Sequence, residues 1–332
     1  MGRVRRIASL NAKAMLACVA SLDGDATQQA VFASDTYERF NEVVVGFWKR
    51  DCKDPRDRIY AMLGFKPWSV EWTLTPDYSA AVEEVYTDYA RVLLRNKQLV
   101  FLEDAGIWNR RSEAEGEDPL PSWVPEHRAS RLVHTDRHPW HQSTIKTSND
   151  PWQYCQPIVE WPKNRVRYQN QVRIEGVVIA KLKNAICRRK TPETNEDLED
   201  YFAGCMYVAL AGKKEGDKYF TGESIQDAVV ASSVATFAAV IEGGSPYEDH
   251  KEAIARTGRY VFFTTEEGFI GYAPACLEIS DVVVAFCGRP EVFIVRPVEK
   301  TLDFRLVSSC YIHGMMEGRF EYGDDYHMIP LV

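Results

Sequence analysis

From residue 258 onward the chain reads as short β-prone runs set off by turn residues, and this spacing constrains the fold more than any other feature. The runs are "RYVFFTTEEGFIGYAP", "SDVVVAFCG", "EVFIVRP" and "DFRLVSSCYIHGMMEG", with Gly268, Gly271, Gly288, Gly314 and Gly318 where turns or bulges are needed. Several strands this short and this close together predict a small closed or nearly closed antiparallel barrel. Upstream, "RVRYQNQVRIEGVVIAKLKNAI" sets Val166 with Tyr168, Val172 with Ile174 and Val177 with Ile179 at period two, the pattern of half-buried antiparallel strands.

Helical segments flank and interrupt these strands. "TYERFNEVVVGFWKR" places Tyr37, Phe40, Val44 and Phe47 or Trp48 at helical spacing, and residues 7–50 read as a helical lead-in. In "DCKDPRDRIYAMLGF", Asp54 suits an N-cap, Pro55 the first helical position and Asp57 the positive helix end, while Ile59, Tyr60 and Leu63 make one apolar face before Gly64. Capping accounts for both carboxylates, which leaves Arg56 and Arg58 for an ion pair or an interface. In "TPDYSAAVEEVYTDYARVLLRN", Ser79 can cap a second helix with a stripe of Val82, Val85, Tyr86, Tyr89, Val92 and Leu93. Pro119, Pro121 and Pro125 force extended backbone around Trp123, a clamp followed by a loop. "NEDLEDYFAGCMYVALAG" and "ESIQDAVVASSVATFAAVIE" read as helices inserted between strands. The expected fold class is α+β: a mainly helical region over 1–150, then a β-barrel-like domain over 151–332 with a helical insertion at about 195–242.

Composition bounds the function. The 332 residues are 45% hydrophobic and 27% charged with net charge -8, and no basic track interleaved with aromatics is present, so neither DNA nor RNA is an expected partner. The eight cysteines include no CxxC pair and are expected to be reduced thiols. No apolar run approaches the ~20 residues of a membrane span, and the basic N-terminus reads as an amphipathic helix, so a cytoplasmic location without membrane association is expected.

Reaction chemistry is absent from the spacings. GxGxxG, GxxxxGK[ST], GxSxG, HExxH and EF-hand patterns do not occur. His134, His138 and His141, with His127 upstream, invite a zinc site, but no motif accompanies them and solvated loop histidines are the expectation. Cys310 and His313 should point to opposite faces of a strand, and His313 beside Gly314 reads as a strand-end residue. No catalytic residue, metal or cofactor is expected.

"DPRDRIYAMLGF", "TPDYSAAVEEVYTDYARVLL", "LPSWVPEH", "VRIEGVVIAKL" and the run from "FFTTEEGFIGYAPACLEISDVVVAF" to "FRLVSSCYIHGMMEGRF" resemble, in order, the region that follows the HET domain in fungal heterokaryon-incompatibility proteins. Ser280 and Ser308 stand where that family often has glycine. The strand that usually opens the HET domain has no counterpart here, so the resemblance implies a fragment or truncated member. It further implies non-self recognition and programmed cell death through contacts with a protein partner, a HET domain or another incompatibility protein. It makes Asp54, Pro55, Arg56, Asp57, Tyr60, Pro121 and Trp123 candidate scaffold or interface residues. The alternative is an enzyme with a dispersed site, such as a TIR-like NAD-cleaving activity, for which Glu266, Glu267 or the His127–His141 loop would be the candidates.

Overall fold

The structure, a computed structural model, describes residues 52–61, 63, 74–109, 120–127, 156–162, 170–186, 195–214, 216–237, 260–274, 277–289, 291–315 and 325–332. The chain forms two compact units, Met1–Phe101 with Glu126–Val133, and Leu102–Pro125 with His134–Val332. The segment around Trp123 therefore belongs with the strands. The lead-in residues Tyr37, Phe40, Val44, Phe47 and Trp48, the expected stop Gly64, His134, His138, His141, Val166, Tyr168, Gly318 and the stretch 238–242 all lie outside the described residues.

In the first unit, helix α1 (Asp57–Tyr60) is entered through a tight turn in which the Asp57 and Arg58 N–H groups donate to the carbonyls of Asp54 and Pro55. Helix α2 (Val82–Arg95) buries Val85, Tyr86, Tyr89, Val92 and Leu93, the stripe that its spacing predicts, while Val82 in the first turn is half-buried. Its start corrects the sequence reading. Ala81, not Ser79, is the N-cap, and the Glu84 carboxylate accepts the Ala81 N–H at 3.2 Å. Asp77 captures Ser79 instead, its Oδ1 accepting both the Ser79 N–H (2.8 Å) and the Ser79 hydroxyl (2.6 Å). A local Asp–Ser turn competes with helix capping for the same serine, and here it wins.

Among the described residues the second unit has eight strands: β1 (Val159–Glu160), β2 (Val172–Ile186), β3 (Tyr260–Thr265), β4 (Ile270–Pro274), β5 (Val282–Phe286), β6 (Val292–Pro297), β7 (Phe304–Ile312) and β8 (His327–Leu331). Six of them, in the order β2-β3-β4-β7-β6-β5, close an antiparallel barrel, because β2 pairs with β5 along one stretch and with β3 along the next. Closure requires β2 to bend. Register shifts between Val178 and Ala180 and between Leu182 and Asn184 supply the bend, and the in-out alternation of the strand slips at the first of them. Strands β1 and β8 extend the sheet from the start of β2.

The α+β architecture with a barrel and a helical insertion is thus the one the spacing predicts. Helices α3 (Asn195–Leu210) and α4 (Ile225–Phe237) form the insertion. Tyr201, Cys205 and Ala209 of α3 recur every four residues and join Ala228 and Val229 of α4 in one apolar core with Val261, Phe263 and Tyr272 of the barrel. Helices α3 and α4 pack on β3 and β4, and β3 to β6 are buried almost continuously and do not alternate.

Gly271, inside β4, marks a close approach between two strands. A Cβ there would lie 2.3 Å from the Tyr311 carbonyl oxygen of β7 and 2.5 Å from Cζ of Phe263. Gly271→Ala must push β4 away from β7, and by analogy with overpacked cores it should cost about 1–3 kcal/mol. Urea unfolding measures this, and an unchanged midpoint would show that the two strands can separate without penalty.

Candidate functional site

The motif residues of the first unit converge on one polar cluster. The Asp54 carboxylate accepts the Arg56 backbone N–H (3.0 Å) and takes the Arg56 guanidinium in a two-point contact, Oδ1 from Nε at 2.9 Å and Oδ2 from Nη2 at 2.8 Å. That guanidinium holds the Asp54 carboxyl below the usual carboxylate range. Its Nη1 reaches across to donate to the carbonyls of Tyr78 and of Ala80, the latter at 2.8 Å. Asp57 accepts the Tyr78 hydroxyl at 2.6 Å, which pushes the Tyr78 phenol up. Tyr60 reads both backbone groups of Asp77: its hydroxyl donates to the Asp77 carbonyl (2.8 Å) and accepts the Asp77 N–H (3.0 Å). The Tyr86 hydroxyl of α2 donates to the Pro55 carbonyl at 2.9 Å. Asp54, Pro55, Arg56, Asp57 and Tyr60 are therefore brought together, and each is bonded to the 77–86 segment or to a neighbour that is.

Pro121 and Trp123 lie in the second unit. Trp123 is fully buried, its Nε1 donates to the Asn170 carbonyl at 2.9 Å, and its ring meets Trp161 edge-on at 6.0 Å. Pro121, also buried, accepts the Val124 N–H at 2.9 Å. Ser122 between them is the busiest: its N–H donates to Val332 O at 2.9 Å and its hydroxyl accepts the Leu306 N–H at 2.8 Å. Its own carbonyl accepts the Gly106 N–H at 3.0 Å. The segment thus serves as an extra strand-like edge for β7 and the end of β8.

His127 corrects the expectation of solvated loop histidines. It is 1% exposed, with Tyr86 edge-on at 4.7 Å and Tyr89 at 6.2 Å. Burial, with the Arg58 charge second, lowers its pKa to about 3, so the ring is neutral at physiological pH. Glu266 and Glu267 sit in the β3–β4 turn and bind β2: the Glu266 N–H donates to the Lys181 carbonyl at 2.8 Å, and Glu267 Oε2 accepts the Lys181 N–H at 3.3 Å.

Three groups escape sequence reasoning. Arg289, half-buried, lies between the buried Glu103 and Glu291, bonded to the first and 2.6 Å from the second. Asp281, fully buried, is gripped by Arg296 through Nε (2.8 Å) and Nη2 (3.0 Å). His313, next to the expected strand end, is in fact bonded on both ring nitrogens, by Glu223 at 2.6 Å and Tyr311 at 3.2 Å. The distant partners in these groups, Arg296 with Asp281, His313 with Glu223 and Arg289 with Glu103, lie 15, 90 and 186 residues apart, so no spacing could have signalled them. Cys310 is buried with its thiol pushed well up by burial, which leaves little thiolate for chemistry. Among the described residues, no group of three or more His, Cys, Asp or Glu side chains could hold a metal ion, and no helix is long and apolar enough to cross a membrane.

Residues 188–328 match the Het-6 beta-barrel domain, a stretch that runs from just after β2 into β8. The chain is also 22% identical over 346 residues to heterokaryon incompatibility protein 6, OR allele, of Neurospora crassa, an alignment covering 83% of this chain and 50% of that protein. Both matches support a member of the fungal heterokaryon-incompatibility family in its region beyond the HET domain, and the chain spans about half the length of the curated relative that it matches. No solved structure matches it. In this incompatibility-family barrel, β2 lies before the matched stretch and yet closes the circuit, so the cylinder needs residues that the domain match leaves out.

The buried imidazole of the first unit makes a pH prediction. The folded chain keeps His127 neutral down to about pH 3, whereas an unfolded chain protonates it near 6.5. Its stability is therefore complete above about pH 6.5 and falls as the pH drops toward 3, with a slope of up to about 1.4 kcal/mol per pH unit. His127→Phe, which keeps a ring among the two tyrosines, should flatten the slope between pH 6 and 5 in denaturant titrations. A slope identical to that of the unsubstituted chain would remove the assignment.

Proposed function

We propose that this incompatibility-family chain acts in non-self recognition and the cell death that follows it, in the cytoplasm, by binding a protein partner and not by catalysis. The partner is a HET domain or another incompatibility protein. One observation carries the contact reading: on α3, opposite the buried stripe of Tyr201, Cys205 and Ala209, the insertion presents Tyr207 at 79% exposure with Leu210 one turn on at 37%. Tyrosine with leucine on a rigid helix is a combination suited to a protein interface, since aromatic anchors supply much of the contact energy in such surfaces. The family match supports the biological setting, because the relative's printed name is that of an incompatibility protein.

The test is genetic. Deleting the gene should abolish the incompatibility reaction between strains carrying different alleles, and Tyr207→Asp with Leu210→Asp should do the same while the protein accumulates normally. An intact reaction with the doubly substituted protein would eliminate this helix face as the contact. Release of nicotinamide from NAD by the purified chain would overturn the non-catalytic reading instead.

A further inference from the structure

The seam between β4 and β7 is the shortest in the barrel. It has two ladder pairs, Gly271↔Ile312 and Tyr272↔Tyr311, against five for β3–β4 and six for β6–β7. One step beyond those pairs, Ile270 and His313 should exchange two backbone hydrogen bonds as an antiparallel pair does. Only one is made directly, from the His313 N–H to the Ile270 carbonyl at 3.0 Å. The other is intercepted: the Tyr219 hydroxyl accepts the Ile270 N–H at 3.1 Å and donates to the His313 carbonyl at 3.1 Å. A side-chain hydroxyl thus stands between two strands where a ladder bond belongs.

Tyr219 comes from the segment linking α3 to α4, which folds back on itself at the Lys218↔Ser224 bridge, with the Tyr219 N–H donating to the Glu223 carbonyl at 3.0 Å and Gly222 at φ 95°. The fold-back lies flat on the seam. Phe220 meets Phe269 of the β3–β4 turn edge-on at 5.4 Å. A Cβ on Gly314 would come within 2.5 Å of Thr221 Cγ2 and 2.7 Å of Phe220 Cζ. Glu223 fastens the far end, its Oε1 lying 2.6 Å from His313 Nε2 and accepting the Thr221 hydroxyl at 2.7 Å. The carboxylate can only accept, so the proton lies on Nε2, and Tyr311 faces Nδ1 at 3.2 Å.

We propose that residues 218–224 are a strap that closes the β4–β7 seam, with Tyr219 as its wedge and the Glu223–His313 bond as its fastening, and that release of the strap opens this seam while the rest of the barrel stays paired. The wedge keeps the seam short, so the strap substitutes for ladder bonds that the strands do not make. A local opening of this kind uncovers Ile270, His313 and the apolar residues beneath them, and gives the barrel a conformational change confined to one edge.

Amide hydrogen exchange on the whole chain at fixed pH tests this. The Ile270 and His313 amides should exchange faster than those of β5 and β6. Glu223→Ala, at a half-exposed position, and Tyr219→Phe should each accelerate the Ile270 and His313 amides by roughly tenfold or more, leaving β5 and β6 unchanged. Equal acceleration in every strand would show that the variants loosen the whole barrel, and no acceleration at Ile270 in either variant would show that the strap holds nothing. Either result overturns the proposal.

Discussion

The barrel depends on a corner. Lys181 of β2 still pairs with Val282 of β5, and Leu182 already pairs with Thr265 of β3, so the strand changes partners between adjacent residues. Asp281 stands at that corner. Its carbonyl accepts the Leu182 N–H at 3.0 Å, and its carboxylate accepts the Glu278 N–H at 2.8 Å while Arg296 holds both of its oxygens. A fully buried carboxylate is unfavourable by itself, and the two-point guanidinium contact with a backbone donor offsets that cost. Hydrophobic contact alone cannot set this corner, because apolar packing is non-directional whereas the change of partner must occur at one residue. The buried ion pair therefore contributes geometry first: it fixes where β2 leaves β5, and hence that the sheet closes at all.

The two units handle buried polarity differently. In the second unit carboxylates meet guanidinium groups: Arg289 is shared by Glu103 and Glu291, and Arg296 is shared by Asp281 and Glu278. In the first, the buried titratable ring of His127 stays neutral because burial and Arg58 both oppose its proton. The difference follows from the side chains supplied. A guanidinium retains its charge at any physiological pH and can serve two carboxylates at once, whereas an imidazole surrounded by Tyr86 and Tyr89 can release its proton at modest cost.

How much of this was legible in the sequence varies with the range of the interaction. The later strands follow from short β-prone runs between turn residues, and β2 and the stripe of α2 from periodicity, since burial acts on each residue according to its face. Asp54 was misread as the helix N-cap, a position that Arg56 holds, and its carboxylate binds the Arg56 N–H and guanidinium instead. Ser79 was misread because two local partners compete for it, and spacing does not rank Asp77 against the helix end. His127 was misread because its cage comes from α2, 38 to 41 residues upstream, while its immediate neighbours are polar. Glu223 with His313, and Glu103 with Arg289, are pairs that only the closed barrel creates.

The same distinction explains why the motif residues cluster as they do. "DPRDRIY" and "TPDYS" are separated in sequence, but Arg56 and Tyr60 place their polar atoms on the backbone of Tyr78, Ala80 and Asp77, so one segment supplies side chains and the other the backbone they bind, with the Tyr78 hydroxyl on Asp57 the one side-chain contact among these. Trp123 and Ser122 do likewise for Asn170, Leu306 and Val332. Backbone is a target present in any sequence, and a side chain that binds it can stay fixed while the residue it touches varies. Change at Arg56 should therefore be less tolerated than change at Ala80, whose carbonyl any residue but not any backbone conformation could supply. Arg56→Lys tests this without altering net charge: a single ammonium cannot span the Asp54 carboxylate and two carbonyls in the geometry of the planar guanidinium. The substituted chain should melt earlier than the Ala80→Ser chain, and equal melting temperatures would mean that the charge of Arg56, and not its shape, is what the cluster requires.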